Sequence, residues 1–233
     1  MIKGNVNSIQ SLGALDGPGI RFVVFMQGCN LRCGCCHNPD TWEFGIGSEY
    51  TPEEIVSKAK RYKEYFGSEG GITVSGGEPL LQAEFVTKVF ELCHQEGINT
   101  CLDTSGSILN DSVKELLTVT DRVLLDIKYT DNNLYEKHVG CKFDKVIEFL
   151  EYLNEIGCSV TLRQVIIPNL NENEENVLKL KELAKKYSCT DKIELLPFKK
   201  ICQVKYDKMG LEFPFSSLPQ PSKEIMDKLN KLI

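Results

Sequence analysis

Long apolar runs are missing from this sequence of 233 residues: none approaches the roughly 20 that a helix needs to cross a bilayer. A membrane protein is therefore not expected. The first ten residues hold one lysine and no apolar core, so an export signal is not expected either, and a cytoplasmic location is. Positive charge is in deficit, with 27 Lys and Arg against 33 Asp and Glu, a formal net charge of −6. That balance argues against nucleic acid, whose phosphates call for clustered basic residues. Histidine occurs three times and tryptophan once, and no repeat or low-complexity tract appears. A monomer is expected.

Cysteine, in contrast, is plentiful, with ten in the chain. In a reducing compartment disulfides are not expected. Cys93, Cys101, Cys141, Cys158, Cys189 and Cys202 stand singly and read as small core residues. Cys29, Cys33, Cys35 and Cys36 fall together, and such a cluster suggests metal before disulfide.

Short aliphatic and β-branched runs recur at residues 20–27, 72–75, 99–103, 122–127, 159–166 and 192–196. Their apolar character is nearly continuous, as in Val123-Leu124-Leu125, which suits strands buried on both faces of a parallel sheet. Helical spacing fills the intervals, at 51–66, 80–96, 111–117 and 143–156, then at 172–187 and 222–232. Thr51-Pro52-Glu53-Glu54 is a helix start, and Gly97 and Gly157 sit where left-handed caps belong. Six βα units predict an α/β fold, a partial (β/α)6 barrel of TIM type with parallel strands. An open doubly wound sheet is the alternative. In both, ligands bind at the carboxyl ends of the strands.

The first of these strands leads into Gly28-Cys29-Asn30-Leu31-Arg32-Cys33-Gly34-Cys35-Cys36-His37. Cys29, Cys33 and Cys36 have the spacing Cys-x3-Cys-x2-Cys. A cubane iron–sulfur cluster usually takes four thiolates, so three leave one iron open to a small molecule. A structural zinc site needs four donors at one tetrahedral centre, commonly from two Cys-x-x-Cys pairs. No second pair exists here, although His37 is available as a fourth donor, and the spacing alone leaves both metals open.

The same spacing after the first strand of a βα chain resembles the radical S-adenosylmethionine (SAM) superfamily. More narrowly, Asp16-Gly17-Pro18-Gly19-Ile20-Arg21 and His37-Asn38-Pro39-Asp40-Thr41-Trp42 resemble the pyruvate formate-lyase-activating enzymes. The similarity continues through Ser75-Gly76-Gly77-Glu78-Pro79, Asp103-Thr104-Ser105-Gly106, Leu125-Asp126-Ile127-Lys128 and Glu194-Leu195-Leu196-Pro197. The resemblance implies a single radical SAM domain, with a core over about 15–198 and a C-terminal cover over 199–233. It further implies a [4Fe-4S] cluster on Cys29, Cys33 and Cys36 and SAM bound at the open iron. Reductive cleavage would give methionine and a 5′-deoxyadenosyl radical, which takes a hydrogen from a backbone glycine of pyruvate formate-lyase. Activation of another glycyl-radical enzyme, such as anaerobic ribonucleotide reductase, is a sibling reading that the His37–Trp42 flank disfavours. From a different class, a non-catalytic zinc-binding protein is the rival. Two positions depart from the family pattern: Cys35 stands where an aromatic is usual, and Phe198-Lys199 where Tyr-His is frequent.

Each group of SAM demands a partner. Gly76 and Gly77 let main chain approach its ammonium, with Glu78 following them. Asp103, Thr104, Asp126, Ile127 and Lys128 end two strands. Asp103 and Asp126 together are read as holding the ammonium or a monovalent cation, and Lys128 and Arg163 as facing the carboxylate. Cys35 and His37 are placed beside the cofactor, with capping of the loop as the other reading of His37. Asp16–Arg21 is expected as a mobile loop near the mouth, gripping the partner's glycine segment together with the Asn38–Gly47 stretch. Lys199, Lys200, Lys205 and Lys208 read either as a solvated charge run or as a patch for an acidic electron donor, flavodoxin or ferredoxin.

Overall fold

The computed structural model describes residues 2–233. Two compact units divide the chain. The first comprises the segment ending at Asn30 together with Thr41–Leu124, and the second Leu31–Asp40 with Leu125–Ile233.

In the first unit, β1 (Gly4–Gly13), β2 (Arg21–Met26), β3 (Ser48–Tyr50), β4 (Gly71–Gly76), β5 (Asn99–Thr104) and the start of β6 (Arg122–Asp126) run in the order β3-β1-β2-β4-β5-β6. β2 lies parallel to β4, with Met26 opposite Gly76, and β4 parallel to β5. β1 is antiparallel to both β2 and β3. In the second unit the end of β6 is followed by β7 (Ser159–Ile166) and β8 (Thr190–Pro197), which are parallel with Arg163 opposite Glu194. All six expected strands are present as β2 and β4–β8, the mixed α/β arrangement of a partial (β/α)6 fold.

Helices α1 (Pro52–Lys60), α2 (Lys63–Phe66), α3 (Ala83–Gln95) and α4 (Asp111–Thr118) belong to the first unit. The second holds α5 (Asn132–His138), α6 (Phe143–Ile156), α7 (Glu174–Lys186), α8 (Gln203–Met209) and α9 (Lys223–Asn230). The Thr51 capping box starts α1 as its sequence requires. The helix expected over 51–66 is broken, because Arg61 and Tyr62 donate to the carbonyls of Lys58 and Ala59 at 3.2 and 2.9 Å, a tightened last turn. Similarly, a 3₁₀ turn over Pro79–Gln82 precedes α3.

Phe22, Val24, Ile72, Val74, Leu102, Val86 and Phe90 are buried in the core of the first unit, and Phe149, Leu150, Leu162 and Leu180 in that of the second. Burying such a side chain contributes about 1.5–3 kcal/mol. At the amino end of β2, Arg21 is wholly buried and donates to Thr73 Oγ1, Asn99 Oδ1 and the carbonyls of Ile72 and Glu69, at 3.0, 2.9, 2.5 and 3.1 Å. Satisfied in this way, the guanidinium fixes the Asp16–Arg21 loop, whose Asp16 carbonyl accepts from Thr73 at 2.7 Å. That loop was expected at the mouth. The structure places it instead beside the amino ends of β2 and β4, where Gly71 N donates to Ile20 O at 3.1 Å.

Candidate functional site

In the first unit the carboxyl ends of β2, β4 and β5 carry one group of expected site residues. Gly28, at φ +98°, turns the chain out of β2, and its amide donates to Thr41 O at 2.8 Å. Cys29 N then donates to Trp42 O at 3.2 Å. Gly77 N reaches Met26 O and Glu78 N reaches Gly28 O, each at 2.9 Å, so the Gly-Gly-Glu turn is stitched to the chain entering Cys29. Both glycines are required by this approach. A Cβ on Gly76 would lie 2.3 Å from Met26 N, and one on Gly77 2.2 Å from Gly28 O.

Glu78 is almost fully buried. Its Oε1 accepts from Thr104 Oγ1 at 2.6 Å and Leu80 N at 3.2 Å. Its Oε2 accepts from Ser105 N at 3.1 Å and from the Ser105 hydroxyl. Burial raises its pKa, and the bonds from Ser105 and Thr104 partly offset the rise. Glu78 and Thr104 therefore act on one another, clasping the end of β5 to the β4 turn. Asp103 Oδ2 accepts from Ser75 Oγ at 2.7 Å.

The second unit gathers the other group. The Leu31–Asp40 segment is pinned to the end of α5: Arg32 N donates to Val139 O at 3.2 Å and Gly34 N to His138 O at 2.8 Å. Gly34 has no room for a side chain, since a Cβ there would meet the Phe215 ring at 2.4 Å. Cys36 N donates to Cys33 O at 3.0 Å, closing a turn between two of the expected ligands, and Tyr206 OH donates to Cys36 O at 3.2 Å.

Asp126 stands between two cations. Lys128 Nζ lies 2.5 Å from its Oδ2 and Arg163 Nε 3.2 Å from its Oδ1. Burial would raise the Asp126 pKa, but the Lys128 and Arg163 charges outweigh it and hold the group below the usual carboxylate range. For Lys128, burial works downward, yet Asp126, Cys33 and Cys35 together raise its pKa well above the ordinary value. Two cations around one carboxylate leave a net positive charge beside the cysteine loop. Both Asp126 oxygens thus face a cation, Oδ2 toward Lys128 and Oδ1 toward Arg163. Ile127 contributes backbone, with its amide on Arg163 O at 2.8 Å and its side chain in the core.

Cys35 is half-buried, and desolvation pushes its thiol up to about 11, with Lys128 opposing the rise. His37 Nε2 donates to Lys199 O at 2.9 Å, so the imidazole ties the loop to the chain after β8. Burial lowers its pKa. Phe198 is fully buried against Phe213 and Phe215, at 6.1 and 6.3 Å between ring centroids. Sequence reasoning missed the tyrosines around this loop, Tyr129, Tyr135 and Tyr206. Only the position of Tyr129 directly after Lys128 hinted at one of them.

Among the described residues, no three His, Cys, Asp or Glu side chains are grouped closely enough to hold one metal ion. A zinc site demands four donors on one centre. A cubane takes one thiolate per iron. The soft donors Cys33 and Cys36, their turn, the adjacent positive charge and the unpartnered Tyr129 hydroxyl suit an anionic cluster.

Residues 23–180 match the sequence pattern of the Radical SAM superfamily. A pyruvate formate-lyase-activating enzyme of Clostridium pasteurianum is 43% identical over all of this chain and 98% of its own. The pyruvate formate-lyase 1-activating enzyme of Escherichia coli (strain K12) is 38% identical over 100% and 96%. The chain belongs to the pyruvate formate-lyase-activating enzymes of the radical SAM superfamily. Among solved structures, Streptococcus suis SuiB bound to S-adenosylmethionine superposes with a TM-score of 0.69 at 16% identity, covering 87% of this chain and 44% of that one. That likeness is one of fold. Membership of the family implies a [4Fe-4S] cluster and SAM. Among the described residues, no helix is long and apolar enough to cross a membrane.

Proposed function

We propose that this chain activates pyruvate formate-lyase by placing a radical on one of its glycines, with Cys29, Cys33 and Cys36 as cluster ligands. The observation that carries the reading is the Cys33–Cys36 turn in the same unit as the Lys128–Asp126–Arg163 ion cluster, with Cys33 among the groups acting on Lys128. Identity over the whole chain to activating enzymes supports the choice of partner. When bound, the cluster supplies the electron that cleaves SAM to methionine and a 5′-deoxyadenosyl radical, which takes a hydrogen atom from the partner's glycine.

The protein's own residues bind, orient and neutralise. Lys128 and Arg163 carry the positive charge for the methionyl carboxylate, with Asp126 holding both heads in place. Asp103 accepts from the methionyl ammonium or faces a monovalent cation, and the Gly76–Gly77 turn gives it close access to main chain. Glu78 and Thr104 hold that turn. The domain is one radical SAM unit with its core over about 15–198 and the C-terminal segment 199–233 after it, and it works as a cytoplasmic monomer.

Reduction calls for flavodoxin or ferredoxin, an acidic carrier. Lys200 and Lys205 are committed internally, to Ser216 O at 2.5 Å and to Asn38 and Asp40 at 2.9 Å. Exposed Ile201 and Val204, with exposed Lys199 and Lys208, form the surface offered to that carrier. Anaerobic reconstitution, dithionite reduction and addition of SAM should release methionine and 5′-deoxyadenosine in equal amounts. Iron-loaded protein that leaves SAM intact contradicts the reading.

A further inference from the structure

The residue after Lys128 is a tyrosine that the proposed function does not use. Tyr129 is 1% exposed, and its hydroxyl has no hydrogen-bond partner. A phenol would not be kept there for packing alone, because phenylalanine offers the same ring without an unsatisfied donor. The other two tyrosines around the loop have committed hydroxyls: Tyr135 OH donates to Asp126 O at 3.3 Å and Tyr206 OH to Cys36 O at 3.2 Å. Tyr129 cannot swing away to find a partner, since its ring is wedged edge-on against Tyr135 at 6.3 Å and beside His138 at 5.8 Å. His138 is the residue whose carbonyl accepts from Gly34 N, so the ring packs beside a residue that holds the cysteine loop.

The electrostatic neighbours of the hydroxyl include the cysteine loop. Burial raises the Tyr129 pKa, and Cys35 and Cys33 raise it further. His138 Nε2 is also buried and unpartnered, but its pKa is lowered by burial and Lys137, with no contribution from either cysteine. The phenol, unlike the imidazole, lies within electrostatic reach of the thiols.

We propose that the Tyr129 hydroxyl donates a hydrogen bond to the iron–sulfur cluster, at a sulfur on its Cys33 side, and raises the cluster's reduction potential. Hydrogen bonds to cluster sulfurs set potential because they stabilise the more negative, reduced state. The inference rests on the cluster assignment of the proposed function.

Tyr129→Phe keeps the ring and removes the donor. Wild type and variant are reconstituted anaerobically, iron and sulfide are measured, and the reduced cluster is titrated by electron paramagnetic resonance without SAM. At equal cluster content, the variant's midpoint should fall by an amount equal to at least a threefold change in the one-electron constant, about 28 mV at ~59 mV per tenfold. Its cluster-free form should melt no lower than wild type. An unchanged potential, as when a water satisfies the phenol instead, overturns the inference. A wild-type protein that binds no iron and sulfide overturns the proposed function and this inference with it. If the variant assembles too little cluster to titrate, wild type exchanged into D2O decides: a strongly coupled exchangeable deuteron on the reduced cluster supports the bond, and none contradicts it.

Discussion

Lys128 Nζ and Asp126 Oδ2 lie 2.5 Å apart, joined across a two-residue spacing at the end of β6. Arg163 makes the same carboxylate a shared partner, and all three side chains are largely buried, at 16% exposure for Lys128, 20% for Asp126 and 9% for Arg163. A carboxylate held by two cations orients both heads, and it leaves one positive charge for an anionic ligand.

Replacing Asp126 with Asn should cost about 3–5 kcal/mol of stability, because two buried cations lose their counter-charge. Chemical denaturation of the cluster-free protein measures it. The pH dependence has a defined sign. The native carboxyl has a pKa below the roughly 3.9 of a free aspartate. Its contribution is therefore complete at neutral pH and is lost as pH falls through the depressed native value. Lys128, raised above its ordinary value, contributes fully below about 10.4 and loses that contribution only as pH rises through the raised one. The difference between wild type and Asp126→Asn should be flat from about pH 6 to 9 and shrink under acid. A difference that grows toward acid contradicts the assignment.

Glu78→Ala removes the acceptor for the Thr104 hydroxyl and for the amide and hydroxyl of Ser105. The expected loss is about 2–3 kcal/mol or more, read from the unfolding midpoint, together with weaker SAM binding. Because burial raises the Glu78 pKa, this side chain favours the folded state more as pH falls through its native value toward about 4.3. Unchanged melting would remove the clasp from the account.

Gly77→Ala should be poorly tolerated. Its Cβ would stand 2.2 Å from Gly28 O, and backbone must shift next to Cys29. Overpacking of this kind costs about 1–3 kcal/mol. Iron content should fall with the melting temperature, and a variant with full iron loading would argue against the close stitching of the two segments.

Cys29→Ala, Cys33→Ala and Cys36→Ala should each abolish SAM cleavage, whereas Cys35→Ala should retain most of it. Iron, sulfide and released 5′-deoxyadenosine are the measurements. If Cys35→Ala were the inactive member of the set, the ligand assignment would be wrong.

The parallel strands were legible because residues buried on both faces must be apolar throughout, as in β2 with Phe22, Val23 and Val24. β1 was not, since its pattern of buried and part-exposed positions is met by Asn, Ser and Gln as well as Val6. α8 gave no start signal, as Cys202 makes no side-chain cap bond, and α5 has few apolar residues behind its Asp131 cap. Within the site, strand alternation put Asp126 and Lys128 on one face; β6 ends at Asp126, and the two side chains meet just beyond it. The clasp of Glu78 on Thr104 and Ser105 spans 26 and 27 residues, a distance at which no local pattern operates. The same holds for Lys205, which reaches Asp40 across 165 positions.

The central claim is tested most directly by mixing the anaerobically reduced, cluster-loaded protein with SAM and pyruvate formate-lyase and recording the electron paramagnetic resonance spectrum. The account predicts a glycyl radical on the partner, one 5′-deoxyadenosine released per radical formed, and neither product with Cys36→Ala. A fully loaded, reduced protein that cleaves SAM but leaves the partner without a radical would contradict it.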